Sequence, residues 1–201
     1  SVVLIMERTS GSEKAKMKSH SRKIAAATFF VILLVSVQAG ADMRMIALDV
    51  GEGQAVVFEK NGHSLLVDAG PVHRASEMVR DLKQYGVEKL DCLVLTHLHP
   101  DHASGLFRVM EAWPEVKVIE NGHRLAEEKA SNVVRWSAQV LEAHDRVETV
   151  GAGDTIHWQG ARIRFLWPEK ITGANLNQNS LVLCLAYAGK RVLIMGDVGI
   201  D

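Results

Sequence analysis

Four side chains of the kinds that bind metal ions crowd into six residues of this chain. His97, His99, Asp101 and His102 stand in Thr96-His97-Leu98-His99-Pro100-Asp101-His102-Ala103-Ser104-Gly105. Imidazole nitrogens and carboxylate oxygens are donors that zinc accepts. His97 and His99 are two residues apart, so in an extended turn both rings can converge on one ion. Asp101 and His102 are neighbours and must point in different directions. They serve a second ion, or one ligates while the other orients. Burying four such groups without a cation leaves each in need of a partner. A His-rich surface loop is the plain alternative, and the position of the segment argues against it. It directly follows an unbroken apolar run, Leu90-Asp91-Cys92-Leu93-Val94-Leu95, as a strand buried on both faces should read. Ligands are often collected on loops at the carboxyl ends of such strands.

The elements that must position this loop alternate in kind. Residues 43–50 read as a strand ending at Gly51-Glu52-Gly53, and 55–59 and 64–67 follow as two more around Asn61-Gly62. Asn-Gly between apolar runs predicts a hairpin, and His63 beside it is expected to be exposed. Ala75, Met78, Val79, Leu82 and Tyr85 recur at helical spacing, and Gly86 then marks a helix end. A short helix over 104–110, a strand over 116–120 and a helix over 125–143 come next. Residues 161–168 alternate as a half-buried strand, and 181–187 and 191–197 are two further strands joined through Ala188-Gly189-Lys190. The pattern is that of an α/β protein. Gly51 and Gly53 make no phosphate loop, because no helix follows them. Lys129 and Arg135 belong to a solvated helix face. Trp113, Trp136, Trp158 and Trp167 are expected in the core or at its rim.

The 201 residues suit one domain with an extension, and a net charge of −1 speaks against a strongly basic nucleic-acid-binding protein. That near-neutral total hides an asymmetry. Residues 1–41 hold six Lys/Arg against two Asp/Glu, whereas 42–201 hold 17 against 22. The basic head contains an uncharged apolar run, 24–37, preceded by Lys18, Arg22 and Lys23. Small residues follow at Val37-Gln38-Ala39 and Ala39-Gly40-Ala41. This predicts a secretory signal peptide starting at Met17, hence an exported body at 42–201 in the periplasm or outside the cell. An uncleaved run would instead act as a membrane anchor, though it is short for a span. Cys92 and Cys184 both lie in apolar runs and are read as free buried thiols, with a bridge as the alternative.

Thr96–Gly105 resembles the THxHxDHxxG signature of the metallo-β-lactamase fold superfamily in full. Ile46–Glu59 and Asn175–Leu185 are similar to segments of its ComEC/Rec2-like competence branch. The resemblance runs from about Met43 to the end and implies an αββα sandwich. It also implies two divalent metal ions, zinc first, with manganese or iron as alternatives. On this likeness His97 and His99 would hold the first ion, Asp101 and His102 the second, and Asp197 would lie between them. Asp101 would orient a metal-activated water or accept its proton. Asp68, ending an early strand, would hold a ligand or the loop in place, with a plain strand-end turn as its other reading. Asn179 is a candidate substrate contact or a turn cap.

The chain also departs from the pattern. Gln54 stands where the branch usually has Asp, and Glu52 where it usually has Gln. The superfamily has a further His between the first motif and the late Asp, for which His123, His144 and His157 are the candidates. Its members carry a last His beyond the late Asp, so the domain is expected to be incomplete at the C-terminus. The implied activity is a metal-dependent hydrolase acting on a phosphodiester, in nucleic acid or a small molecule, or on a related ester or lactam. The acidic body argues mildly against a long polyanion. A non-catalytic binding or accessory module on the same fold is the alternative.

Overall fold

The computed structural model describes residues 2–3, 42–173 and 175–199. The apolar run at 24–37 lies outside the described residues, and among those described no helix is long and apolar enough to cross a membrane. Among the described residues, eleven strands form two sheets. One sheet holds β2 (Arg44–Ala47), β3 (Val56–Lys60), β4 (His63–Val67), β5 (Lys89–Val94), β6 (Lys117–Glu120) and β7 (Val147–Thr149), in that spatial order. Its first three strands are antiparallel and its last four are parallel. The other sheet is antiparallel, with β1 (Val2–Val3) at its edge beside β11 (Lys190–Ile194), then β10 (Val182–Tyr187), β9 (Ala161–Trp167) and β8 (Thr155–Trp158).

Alternation along the first sheet builds two cores. Phe58, Leu65, Val67, Val94 and Ile119 face the second sheet and pack with Ile163, Phe165, Leu183, Leu185 and Ile194. Val57, Leu66 and Leu93 face the other way, toward the helices. Helix α1 (Ala75–Gln84) buries Ala75, Met78 and Leu82 there. Leu106 and Val109 of α3 (Leu106–Ala112) and Val134 and Leu141 of α4 (Asn132–Glu142) join them. The layers run helix, sheet, sheet, and among the described residues no helix packs on the far face of the second sheet.

Both hairpins close as their sequences dictate. Asn61 and Gly62 sit at φ 55 and 76, and Ala188 and Gly189 at φ 48 and 76, the left-handed pair of a type I′ turn. Three expectations are corrected. The helix over 125–143 begins only at Asn132, because Ser131 caps it by accepting the Val134 N–H. The helix expected over 104–110 is α3, shifted by two residues, and a further short helix, α2 (Pro100–Ala103), lies before it inside the His-rich motif. His63 is no free turn residue, since it starts β4 and its Nδ1 lies 2.8 Å from Asp91 Oδ2. Cys92 and Cys184 are free and half-buried, on different sheets. Burial pushes the Cys92 thiol up to about 11.

Candidate metal centre

Parallel strands bring their carboxyl ends to one edge of the sheet, and the motif collects there. Asp68 follows β4, Thr96 to His99 follow β5, and Asn121 follows β6. Asp197 arrives from β11 of the other sheet, its N–H 3.4 Å from Ser180 Oγ. His99 is the extended residue ahead of α2, and Pro100 starts that helix, a position that suits proline because its missing N–H would be unpaired anyway. The segment after β4 latches the motif through Ala69 N–H, which donates to His102 O at 2.7 Å. Gly53 lies so close beneath α2 that a Cβ there would stand 1.9 Å from Asp101 O.

Asp68 anchors the site from below. It is fully buried, with a left-handed φ of 59, a conformation that Asp tolerates better than most residues. Oδ1 accepts from Thr96 N–H at 2.7 Å. Oδ2 accepts from Thr96 Oγ1 at 2.8 Å, His102 Nδ1 at 2.7 Å and the Gln54 amide at 3.1 Å. Burial pushes this carboxyl up, against the pull of His102 and Thr96. Asp at 54, as the competence branch usually has, would set a second carboxylate against Asp68, whereas the Gln54 amide donates.

This network fixes both rings. Thr96 Oγ1 spends its proton on Asp68 and so accepts from His97 Nδ1, 3.1 Å away. His102 Nδ1–H goes to Asp68 directly. Each ring therefore turns its Nε2 to the far side, away from Asp68 and Thr96. Burial, with His102 and His99 beside it, pushes His97 down to about 2, so it carries no second proton at neutral pH. Burial alone would lower His102 too, but Asp68, Asp197 and Asp101 outweigh it and raise it.

The Nε2 atoms look at acceptors. His102 Nε2 is 3.3 Å from Asp197 Oδ1 and 3.6 Å from Asp101 Oδ2. His97 Nε2 is 3.1 Å from His99 Nδ1 and 4.0 Å from Asp197 Oδ2. Ligand atoms of His97, His102 and Asp197 all lie within 4.8 Å of one another. Imidazole nitrogens and carboxylates gathered this closely in a buried corner offer the donor atoms that a divalent cation takes. The donor set fits a divalent ion of the zinc type.

Of the residues singled out from the sequence, the structure brings His97, His102 and Asp197 into one cluster. His99 lies beside His97, Asp101 forms the open rim at 41% side-chain exposure, and Asp68 stands behind. Three expectations need correction. Asp101 and His102 are adjacent yet do not diverge, because in the short helix α2 Asp101 Oδ2 comes to 3.6 Å from His102 Nε2. None of the three candidate histidines is in the cluster. The His123 ring bonds the Gly173 backbone, His144 Nε2 lies 2.9 Å from Val116 O, and His157 is exposed on β8. Asn179 cannot meet a substrate, since it is fully buried and its amide is spent on Thr172 and Asn175. Thr96, Gln54 and Asn177 went unassigned in the sequence. Thr96 opens the motif itself, and Gln54 shows only as a departure from the branch.

The family model of the metallo-beta-lactamase superfamily matches residues 48–201. Recombination protein 2 of Haemophilus influenzae is 28% identical over 173 residues, which cover 84% of this chain and 20% of that protein. ComE operon protein 3 of Bacillus subtilis is 26% identical over 189 residues, 84% of this chain and 23% of that one. Endoribonuclease YSH1 of Kluyveromyces lactis is 24% identical over 164 residues, 70% and 21% of the two chains. The chain thus spans about a fifth of these relatives. A Cronobacter sakazakii metallo-beta-lactamase with a HARLDQ motif shares the fold, with a TM-score of 0.55 at 19% identity, covering 73% of this chain and 57% of that one. MEM-A1, a subclass B3 metallo-beta-lactamase from a soil metagenome library, gives 0.54 at 14%, covering 76% and 58%. With the signature on the loop after β5, two sheets packed under one helical layer and a family match across the body, this chain belongs to the metallo-beta-lactamase superfamily.

Proposed function

We propose that the protein is a hydrolase using two divalent metal ions, zinc first, to cleave a phosphodiester. The observation that carries this reading is the convergence of two Nε2 atoms, on His97 and His102, upon the Asp197 carboxylate. His97 and His99 would hold one ion, Asp101 and His102 the other, with Asp197 reaching both. Such ions supply Lewis acidity and bring the pKa of a water toward neutrality. The protein's own part is to keep the ligands aligned. Asp68 and Thr96 hold the imidazole protons on the side away from the site. Asp101, on the open rim, is placed to orient the attacking water and take its proton. The name of one relative, endoribonuclease YSH1 of Kluyveromyces lactis, supports a phosphodiester substrate. The basic and apolar sequence before residue 42 supports export, to be checked by sizing the protein in the periplasmic and medium fractions of an expressing cell.

The test is metal content by mass spectrometry, with turnover of bis(p-nitrophenyl) phosphate and single-stranded DNA and of a cephalosporin beside them. About two ions per chain with phosphodiester turnover, both lost in His97→Ala/His99→Ala, is the expected result. Cephalosporin turnover alone would move the substrate to a lactam. Bound metal without turnover would make the protein an accessory module, and absence of metal would sink the reading.

A further inference from the structure

One group at this site is left over by every role assigned so far. Asn177 sits in the 3-10 turn Asn177–Asn179 that leads into β10. Its side chain reaches the ring of His97. Its Oδ1 is sealed from solvent and meets no hydrogen-bond donor. A carbonyl oxygen taken out of water needs a donor or a cation, or it carries the full desolvation penalty. His97 cannot be that donor. Its Nδ1 proton is directed at Thr96 Oγ1, 3.1 Å away. Its Nε2 is bare, as the separation of 3.1 Å from His99 Nδ1 also demands if both rings face one ion. The neighbouring asparagines are committed elsewhere. Asn179 holds Thr172 and Asn175, and Asn175 Oδ1 accepts from the N–H groups of Asn177 and Gln178. Asn177 alone of the three keeps an idle oxygen, and it keeps it beside His97. Amide oxygens are ordinary ligands of hard and borderline divalent ions.

We propose that Asn177 Oδ1 ligates the ion held by His97 and His99, completing that position with an amide oxygen where, among the described residues, no third histidine comes to the cluster. The inference rests on the two-ion reading above and deepens it. An amide oxygen is a harder and weaker donor than imidazole, so the position holds its ion more loosely and accepts manganese more readily than an all-nitrogen site would.

The test uses the full chain and the metal alone, with Zn2+ and Mn2+ affinities read by competition with a chromophoric chelator and Co2+ absorption recorded in parallel. Asn177→Leu keeps the side-chain volume and removes the oxygen. It is expected to weaken one of two ions by about 10- to 100-fold, leave the other unchanged and shift the Co2+ bands. Asn177→Asp is expected to restore binding. Asn177→His is expected to tighten Zn2+ relative to Mn2+ and raise the Co2+ ligand field. Circular dichroism separates a folding defect from a lost ligand, and the Asp and His variants stand in if the Leu variant fails to fold. Two wild-type affinities unchanged by all three substitutions, with one Co2+ spectrum throughout, would overturn the ligand assignment and leave the two-ion reading intact. A wild-type chain that binds no ion would overturn both.

Discussion

At the scale of single residues, the site turns on a carboxylate that touches no substrate. Asp68 accepts from Thr96 and His102, and through Thr96 it sets the proton of His97. Asn keeps the shape and tolerates the left-handed backbone, so Asp68→Asn isolates the charge. Its NH2 must face Thr96 N–H or the crowded donors at Oδ2, at a cost of about 1–3 kcal/mol. We expect metal affinity to fall about 10- to 100-fold with the fold retained, measured by chelator competition beside a thermal melt. The residue types of the cluster were legible in the sequence because His97, His99, Asp101 and His102 are contiguous. Asp197 and Asp68 were reached only through resemblance. Asn177 was not legible, since Asn175, Asn177 and Asn179 recur every second residue, and only the 3-10 turn shows which of them faces His97.

Among the elements, the glycine loop before β3 and the short helix α2 lock together. Gly53 has a φ of 95 and leaves no room for a Cβ beside Asp101 O. Gly86, with a φ of 90 at the end of α1, has nothing within reach. The two substitutions should therefore separate. Gly86→Ala should cost about 1–2 kcal/mol of backbone strain and leave metal content unchanged. Gly53→Ala should lower the melting temperature further and also strip metal, because α2 must move. Equal metal content in both variants would contradict the locking role of Gly53. Strand and hairpin positions were readable from alternation and from Asn61-Gly62. The helix α2 was not, because a single turn leaves no periodicity, and its start at Pro100 reads equally well as a loop. The late start of α4 was hidden for a similar reason. Leu125 extends the apolar residues upstream of the helix, and the Ser131 cap carries no apolar signal.

Across the whole molecule, the two sheets are joined at both ends of the sandwich. Near the start of β5, Asp91 accepts from Trp158 Nε1 of the second sheet at 3.0 Å and pairs with His63 and Lys89. Burial would raise this carboxyl, but Trp158, His63 and Lys89 outweigh it and hold it below its ordinary value. A depressed folded value means the stabilisation is complete above the unfolded one, about pH 4, and is lost as the pH falls through the folded one. Asp91→Asn should therefore melt earlier than wild type at pH 7, and the gap should narrow below about pH 4. A constant gap would show that the charge plays no part. At the other end the candidate metal ligands are divided, with His97 and His102 following one sheet and Asp197 the other. An ion bound there fastens the layers together, so occupancy enters the unfolding equilibrium as well as the chemistry. At free ion a hundred times its dissociation constant, the native state gains about 2.7 kcal/mol. Proteolytic half-life should lengthen with added Zn2+ and collapse with a chelator. The cellular amount of this protein would then follow the supply of its ion, and scarcity would remove the molecule rather than merely idle it.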